Sequence, residues 1–339
     1  MTKQLNAMAA EVPRDAPWTA ARAGEYDGQT FETWKRANVQ SEGGRFLLDL
    51  GVEAVFAAEP RDLSLLHLLF YVNSAGNEST PGTFDRLIAT AGGAQESRFT
   101  GGSQLIARGL ARRLGKRVIT GAPVRRIEQK RGRVSAVCDK LTVSARQAIV
   151  AVPPAVTPFI RFDPLLPGPR AQLLQRFPMG SVIKCMAVYP KPFWREAGLT
   201  GQATSDTGPV KISFDNTPPD GGPGVLLGFI EGQEARIWTA KPAAERRAAV
   251  IESFVRYFGA QAADPTAYYE KSWAEEQWTR GCYGGYLAPG VLLDYGPEIR
   301  RPHGRVHWAG TETATIWNGY MEGALRSGER AAAEALGVL

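Results

Sequence analysis

The stretch "HWAGTETATIWNGYMEGALRSGERAA" (residues 307–332) decides the fold. Its pattern predicts a short apolar strand, a Gly-Thr-Glu turn, and a helix that begins near Gly319. A helix N-terminus presents free backbone N–H groups and the positive end of the helix dipole, which favour an anionic or electron-rich ligand. A plain β–α connection, with glycine for tight packing, explains the same spacing. The stretch therefore predicts a β–α unit and leaves its ligand open.

Length and composition indicate a globular protein. The 339 residues are 44% hydrophobic and 22% charged, which is enough for two domains or one large domain with a sizeable core. The net charge is +6, but the basic residues are dispersed and no nucleic-acid-binding module is recognisable. We therefore expect no nucleic-acid partner.

No stretch of the sequence has the character of a signal peptide or a membrane span. The three cysteines, Cys138, Cys185 and Cys282, are odd in number and far apart, which argues against disulfides and a cysteine metal site. We expect a soluble cytoplasmic protein.

The apolar periodicity predicts alternating helical and strand-rich regions. Residues 30–72 follow a helical period, with Asp62 as a candidate N-cap for the last helix. Residues 117–154 alternate apolar and polar side chains, which predicts a strand meander with turns at Arg131-Gly132 and near Lys140. Further strands are predicted at "SVIKCMAV" (residues 181–188), "GVLLGFI" (224–230) and "EARIWTA" (234–240), followed by a helix at residues 243–259. The fold class is mixed α/β.

Several common catalytic motifs are absent from the sequence. No G-x-G-x-x-G follows a strand, and there is no P-loop or nucleophile elbow. His303 and His307 have i, i+4 spacing, but Pro302 and Gly304 argue against a helix there, so we predict no metal site.

The stretch "TRGCYGGY" (residues 279–286) places Cys282 in a turn-rich segment. Glycine marks tight turns or close backbone approach, and free thiols usually lie in the core. Cys282 is therefore a candidate for a reactive or covalently attached residue.

Six stretches together resemble the flavin-dependent monoamine oxidase family, in the family's order and over nearly the whole chain. They are "DAPW" at Asp15, "GGAQESRFTGGSQ" at Gly92, "AVPP" at Ala151, "GSVIKCMAVYPKPFWR" at Gly180, "WAEEQWTRGCYGGYLAPG" at Trp273 and "WAGTETATIWNGYMEGA" at Trp308. The joint match resembles most the animal-type enzymes.

The resemblance implies roles for individual residues. Lys184 would hold a water near flavin N5, and Tyr283 and Tyr320 would flank the substrate path. Cys282 would form a thioether to the 8α carbon of FAD. The other implied cofactor-binding residues are Val124, Trp273, Gly310, Thr311, Glu312, Gly319, Tyr320 and Met321, and the implied pocket residues are Ile88, Gln95 and Ile212. Without the resemblance, Lys184 would be an outward-facing strand residue, and the three pocket residues ordinary packing.

The resemblance also implies an architecture. It predicts an incomplete FAD-binding domain of the amine-oxidase and glutathione-reductase-like type (residues 97–154 and 270–339). A substrate domain with a mixed sheet flanked by helices would comprise residues 1–96 and 155–269. The family's N-terminal β–α–β unit with G-x-G-x-x-G, which cradles the cofactor pyrophosphate, is not in this sequence. We therefore expect a truncated chain, with a homodimer or a partner chain supplying the missing nucleotide-binding unit.

The implied reaction is the oxidative deamination of a small amine by FAD with dioxygen. A hydride equivalent passes to flavin N5, and the products are an aldehyde, ammonia and hydrogen peroxide. Two alternatives stay open: an inactive remnant or a subunit that needs another chain for FAD, and a polyamine or amino-acid oxidase of the same superfamily.

Overall fold

The computed structural model of the protein describes residues 1–337. The helices are α1 (Thr2–Ala10), α2 (Ala23–Asp27), α3 (Phe31–Asn38), α4 (Glu42–Phe56), α5 (Leu65–Ser74), α6 (Phe84–Ile88), α7 (Gln104–Leu114), α8 (Gly168–Gln175), α9 (Phe193–Glu196), α10 (Gly232–Thr239), α11 (Ala243–Phe258), α12 (Val291–Tyr295) and α13 (Met321–Gly337). The strands are β1 (Val124–Lys130), β2 (Arg133–Cys138), β3 (Thr142–Ala145), β4 (Ala148–Val150), β5 (Arg161–Asp163), β6 (Val182–Tyr189), β7 (Ala203–Thr204), β8 (Ile212–Asp215), β9 (Gly224–Glu231), β10 (Ala267–Ser272) and β11 (Val306–Trp308). The predicted mixed α/β class is confirmed.

The chain divides into two compact units. The first comprises Met1–Trp34, Leu63–Pro178 and the described part of Gly284–Leu339, and the second comprises Lys35–Asp62 and Met179–Tyr283. These units are defined by packing, and the assignment of flavin and substrate domains stays a prediction. Residues 338–339, at the end of the predicted flavin domain, lie outside the described residues.

The second unit is built on a five-stranded antiparallel sheet in the order β10-β6-β9-β8-β7. Because side chains alternate across a strand, β6 and β9 present two different faces. One face, here called the packed face, carries Ile183, Cys185 and Ile230, which form a core with Val250 and Phe254 of α11. The opposite face, here called the site face, carries the in-register residues Ile212, Phe229 and Lys184.

The first unit holds a four-stranded sheet in the order β3-β2-β1-β5 and a two-stranded parallel sheet of β4 and β11. The meander predicted for residues 117–154 is confirmed for β1 to β3, with the predicted turn at Arg131-Gly132. Helix α5 of the first unit is buried along its length and contacts α1 and α2. β11 leads into the Gly-Thr-Glu turn and α13, as predicted, with α13 beginning at Met321.

Two local predictions are wrong. Residues 234–240, predicted as a strand, belong mainly to α10, because β9 ends at Glu231 and Gly232 turns the chain with φ of 55°. Ala235 and Trp238, three residues apart, are the pair that packs on the core. The N-cap of α5 is Ser64, whose Oγ accepts a hydrogen bond from the His67 N–H at 3.3 Å. Asp62 instead accepts from the Glu59 N–H.

Candidate functional site

The site face brings Lys184 together with two aromatic rings. Lys184 lies on β6 directly opposite Phe229 of β9, and neighbours in register share a face of the sheet. Its Nζ lies 5.5 Å from the centre of the Phe229 ring and 5.0 Å from the centre of the Tyr283 ring. A cation within about 6 Å of an aromatic centroid is attracted by the ring. These rings therefore stabilise the lysine charge in a partly buried position.

Tyr283 is held at both ends of its ring. Its edge meets Phe229, with ring centres 6.2 Å apart and planes at 63°. Its phenol donates a hydrogen bond of 2.5 Å to Oε1 of Glu231, at the end of β9. Burial raises the pKa of the Glu231 carboxyl to about 7, opposed by the hydrogen bond from Tyr283 and the charge of Lys184. The site face thus carries an acid that changes charge near neutral pH.

Cys282 lies in a turn packed against the segment that precedes β6. Its N–H donates to the carbonyl of Gly180 at 3.0 Å, and the Cys282–Tyr283 peptide bond is cis. A Cβ on Gly281 would come within 2.4 Å of Met179, so close approach of protein backbone explains this glycine. Burial raises the pKa of the Cys282 thiol, and the Lys184 charge opposes that rise.

Ile212, Trp273, Cys282 and Tyr283 all belong to one apolar cluster of the second unit. Within the described residues, the buried indole N–H of Trp273 has no hydrogen-bond acceptor. A buried donor without an acceptor is costly. An indole donor, a thiol and aromatic faces suit a flat heteroaromatic ring with polar edges. These residues therefore fit a flavin.

The first unit gathers the predicted C-terminal flavin-binding residues around the start of α13. Thr311 donates through Oγ1 to the Tyr320 carbonyl at 2.9 Å, and Glu312 Oε1 accepts from the Gly285 N–H at 3.4 Å. Burial raises the pKa of Glu312. Gly319 has φ of 83°, and a Cβ there would lie 1.9 Å from the Tyr71 hydroxyl. Only glycine therefore fits at this point, beside a helix N-terminus suited to electron-rich groups.

Tyr320 belongs to an aromatic cluster of the first unit. Its ring centre lies 6.3 Å from that of Tyr71 and 5.0 Å from that of Trp317. His67 lies one helical turn from Tyr71 and contacts its ring, and burial lowers the pKa of His67 to about 3. Burial raises the pKa of both tyrosines above its usual range. These side chains are therefore neutral at physiological pH, and the cluster is aromatic and of low polarity.

The other predicted residues of the first unit lie in three places. Gln95 folds back on the end of α6, where its amide donates to the Leu87 carbonyl at 3.2 Å, next to the 40% exposed Ile88. Val124 begins β1 and packs against the core that contains Trp308 of β11. Met321, the first residue of α13, is 45% exposed.

Sequence reasoning missed three residues of these clusters: Phe229, Glu231 and Tyr71. Phe229 and Tyr71 occur in apolar runs that predict only core packing. Glu231 directly follows the buried strand "GVLLGFI", and the sequence carries no signal that this acid is buried. Such an acid is rarely buried unless it is paired.

Within residues 1–337, neither a metal-binding cluster nor a helix suited to span a membrane is present. No group of three or more His, Cys, Asp and Glu side chains there could hold a metal ion. No helix within residues 1–337 is long and apolar enough to cross a membrane.

Comparison with known proteins places the chain in a family. Residues 5–336 match the family model described as flavin containing amine oxidoreductase. The chain is 40% identical over 333 residues to a protein from Dictyostelium discoideum named "Probable flavin-containing monoamine oxidase A", covering 98% of this chain and 72% of that protein.

Two solved structures are also similar. Cyclohexylamine oxidase from Brevibacterium oxydans IH-35A has a TM-score of 0.92 and 36% identity, over 98% of this chain and 73% of that one. Putrescine oxidase bound to putrescine has a TM-score of 0.94 and 30% identity, over 99% of this chain and 74% of that one. The chain therefore belongs to the family of flavin-containing amine oxidoreductases.

Proposed function

We propose that the protein catalyses the FAD-dependent oxidative deamination of a small amine, with dioxygen as the electron acceptor. The observation that carries this proposal is the grouping of Lys184, Phe229 and Tyr283 on the site face, within the same unit as Cys282 and Trp273. Family membership supports the class of reaction.

The residues that would hold the flavin are Trp273 and Cys282 in the second unit and, in the first, Val124 together with Gly310, Thr311, Glu312, Gly319, Tyr320 and Met321. The chemistry supplied by a bound flavin is the acceptance of two electrons with the Cα hydrogen of the amine, followed by their transfer to dioxygen to give hydrogen peroxide. We propose a thioether at Cys282, supported by its position in the apolar cluster with Trp273.

The amine would be bound by aromatic faces and kept neutral. Tyr283 on the site face and Tyr320 in its aromatic cluster offer apolar ring faces against which an uncharged amine can pack. The positive charge of Lys184, within 5.0 Å of the Tyr283 ring, disfavours a second positive charge nearby and so favours the uncharged amine. An uncharged amine retains the lone pair that its oxidation requires. We propose that Ile88, Gln95 and Ile212 shape the rest of the pocket.

The test of the proposed function is a visible absorption spectrum of the purified chain, taken before and after acid precipitation. A flavin spectrum that stays with the precipitate supports FAD held covalently. In Cys282→Ala we expect the flavin to leave the precipitate while the far-ultraviolet circular dichroism is unchanged, since the Cys282 thiol forms neither a disulfide nor a hydrogen bond within the described residues. A wild-type precipitate without flavin would contradict the thioether.

The substrate class is then tested with a panel of amines. Monoamines, diamines, polyamines and amino acids are assayed for release of hydrogen peroxide. Turnover of monoamines supports the leading proposal, whereas turnover of diamines or amino acids alone would favour the wider superfamily. The known ligand of the similar putrescine oxidase makes diamines a necessary part of the panel.

A second candidate function is a subunit that holds FAD only with another chain or a second copy. It is favoured by α7, which buries none of its residues and leaves Leu105, Leu110 and Leu114 between 43% and 49% exposed. Parallel sheets are normally covered on both faces, yet Ile149 of β4, in the two-stranded sheet with β11, is 41% exposed. A colourless purified chain would support this candidate. A cytoplasmic location stays a prediction.

A further inference from the structure

Glu231 is a buried carboxyl group to which no motif gives a role. Only 3% of its surface is exposed, and one oxygen accepts the phenol hydrogen bond of Tyr283. Within the described residues, the other oxygen, Oε2, is buried and has no hydrogen-bond partner. A buried polar atom without a partner lowers stability by about 1–3 kcal/mol. An apolar residue would pack there at lower cost, so an acid at this position needs a reason beyond packing.

The hydrogen bond from Tyr283 gives that reason, because it fixes the hydroxyl end of the Tyr283 ring. Contact with the Phe229 ring restrains the Tyr283 ring on one side, but ring contacts alone leave its torsions free to adjust. The bond from the phenol to Glu231 restrains the opposite end. The ring is then held with Lys184 Nζ at 5.0 Å from its centre.

We propose that Glu231 is the positioning residue of Tyr283, and that its carboxyl group fixes the Tyr283 ring beside Lys184 at the amine site. The inference rests on the proposed function for its catalytic meaning, whereas the hydrogen bond itself can be tested without any activity. Glu231 acts through Tyr283.

The charged groups around Glu231 come from several elements. Lys184 lies on β6, Glu53 on α4, and Lys211 before β8, where its Nζ contacts Glu53 Oε2 at 2.9 Å. The charge of Glu53 raises the pKa of Glu231, while Lys184 and Lys211 lower it. An ionised carboxylate is a stronger acceptor than a protonated one. The phenol hydrogen bond should therefore strengthen as the pH rises through about 7.

The direct test is NMR of the full chain labelled with ¹³C at Cζ of its ten tyrosines. Tyr283→Phe assigns the resonance of Tyr283. In the wild type, we expect this resonance to shift in one step near pH 7. Glu231→Gln keeps an acceptor of the same shape and should abolish the step, and Glu231→Leu should remove the bond at every pH. The matched control is Glu53→Gln, which should keep the step at a lower midpoint.

An identical shift and pH course of Tyr283 in the wild type and Glu231→Gln would overturn the proposal. If Glu231→Gln fails to fold, Glu231→Leu decides the matter, since a Tyr283 resonance that it leaves at the wild-type position at every pH also overturns the proposal.

Kinetics separate positioning from direct contact with the substrate. A positioning role predicts that Glu231→Leu, which removes the hydrogen bond, and Tyr283→Phe each lower kcat/KM for every amine by a similar factor, roughly tenfold, and that the double variant adds little. A change in KM for diamines alone would mean that the carboxyl contacts the substrate, which contradicts positioning. If Glu231→Gln loses the NMR step but neither the wild type nor any variant oxidises an amine, the proposed function is wrong and the positioning role stands.

Discussion

The two faces of the five-stranded sheet come from the same strands and have opposite characters. On the packed face, Ile183 and Cys185 of β6 are fully buried against α11. On the site face, Lys184, which lies between those two residues in β6, has its charged group beside two aromatic rings. Strand β9 ends there in the buried acid Glu231. The packed face is tightly packed at Gly228, where an added Cβ would come within 2.9 Å of Phe254.

The difference shows how one strand can serve stability and chemistry separately. Apolar side chains of the packed face gain free energy by leaving water. Charged groups of the site face lose hydration without full pairing, so they lower stability and suit a functional role. Burial raises the pKa of both cysteines, to about 12 at Cys185 on the packed face, and a basic side chain opposes the rise in each case, Arg246 at Cys185 and Lys184 at Cys282.

The largest expected effect is on the packed face. Phe254→Ala removes a fully buried ring and should lower the free energy of unfolding by about 3–5 kcal/mol, measured by urea denaturation. The control, Phe214→Ala on the half-buried part of the site face, should lose about half as much or less. Equal losses would remove the distinction between the two faces.

The next effect is the dependence of stability on pH at Glu231. In the folded state the pKa of Glu231 is raised to about 7, so between its usual value and pH 7 the folded chain keeps a proton that the unfolded chain has released. Stability of the wild type relative to Glu231→Gln should therefore fall as the pH rises through this window, by on the order of 3 kcal/mol. Below this window, Glu231 is protonated in both the folded and the unfolded wild type. The pH-dependent loss of stability relative to Glu231→Gln is then absent.

Thermal or urea denaturation of both proteins at several pH values measures this difference. Glu231→Leu, which also lacks the titrating group, serves as a second reference and should give the same pH course as Glu231→Gln. A wild type that runs parallel to both variants would show that the acid is not perturbed.

The smallest effect in free energy is catalytic. Lys184→Met removes the charge and keeps most of the apolar stem, so kcat/KM for the best amine should fall on the order of 100-fold, as when a preorganised electrostatic group is lost. Stability should be unchanged or higher. The control is Lys191→Met, at an exposed position paired with Glu196 at 2.8 Å, which should retain full activity. Similar activities of the two variants would contradict a role for the site face.

The sequence predicts the packed face well, because periodicity reports burial. The alternation of "SVIKCMAV" and the helical period of residues 243–259 correspond to β6 and α11, with Gly259 ending the helix as its C-cap. The error at residues 234–240 arises because a short segment can satisfy both periods. At residues 234–240, the chain forms helix α10 because it turns at Gly232.

The site face could be predicted only in part. The resemblance supplied Lys184, Cys282 and Tyr283, which the structure brings into one cluster, and Tyr320, which it places in another. Glu231 was missed because its partner, Tyr283, is 52 residues away in the sequence. Local patterns do not report a hydrogen bond over such a separation, and a strand-ending acid usually faces solvent.

The most direct test of the central claim is anaerobic mixing of the purified chain with amines while the visible flavin absorption is followed. The account predicts that a monoamine bleaches the flavin band, that dioxygen restores it with release of hydrogen peroxide, and that Lys184→Met bleaches far more slowly. A chain that shows no flavin band, or a band that every amine of the panel leaves unchanged, would contradict it.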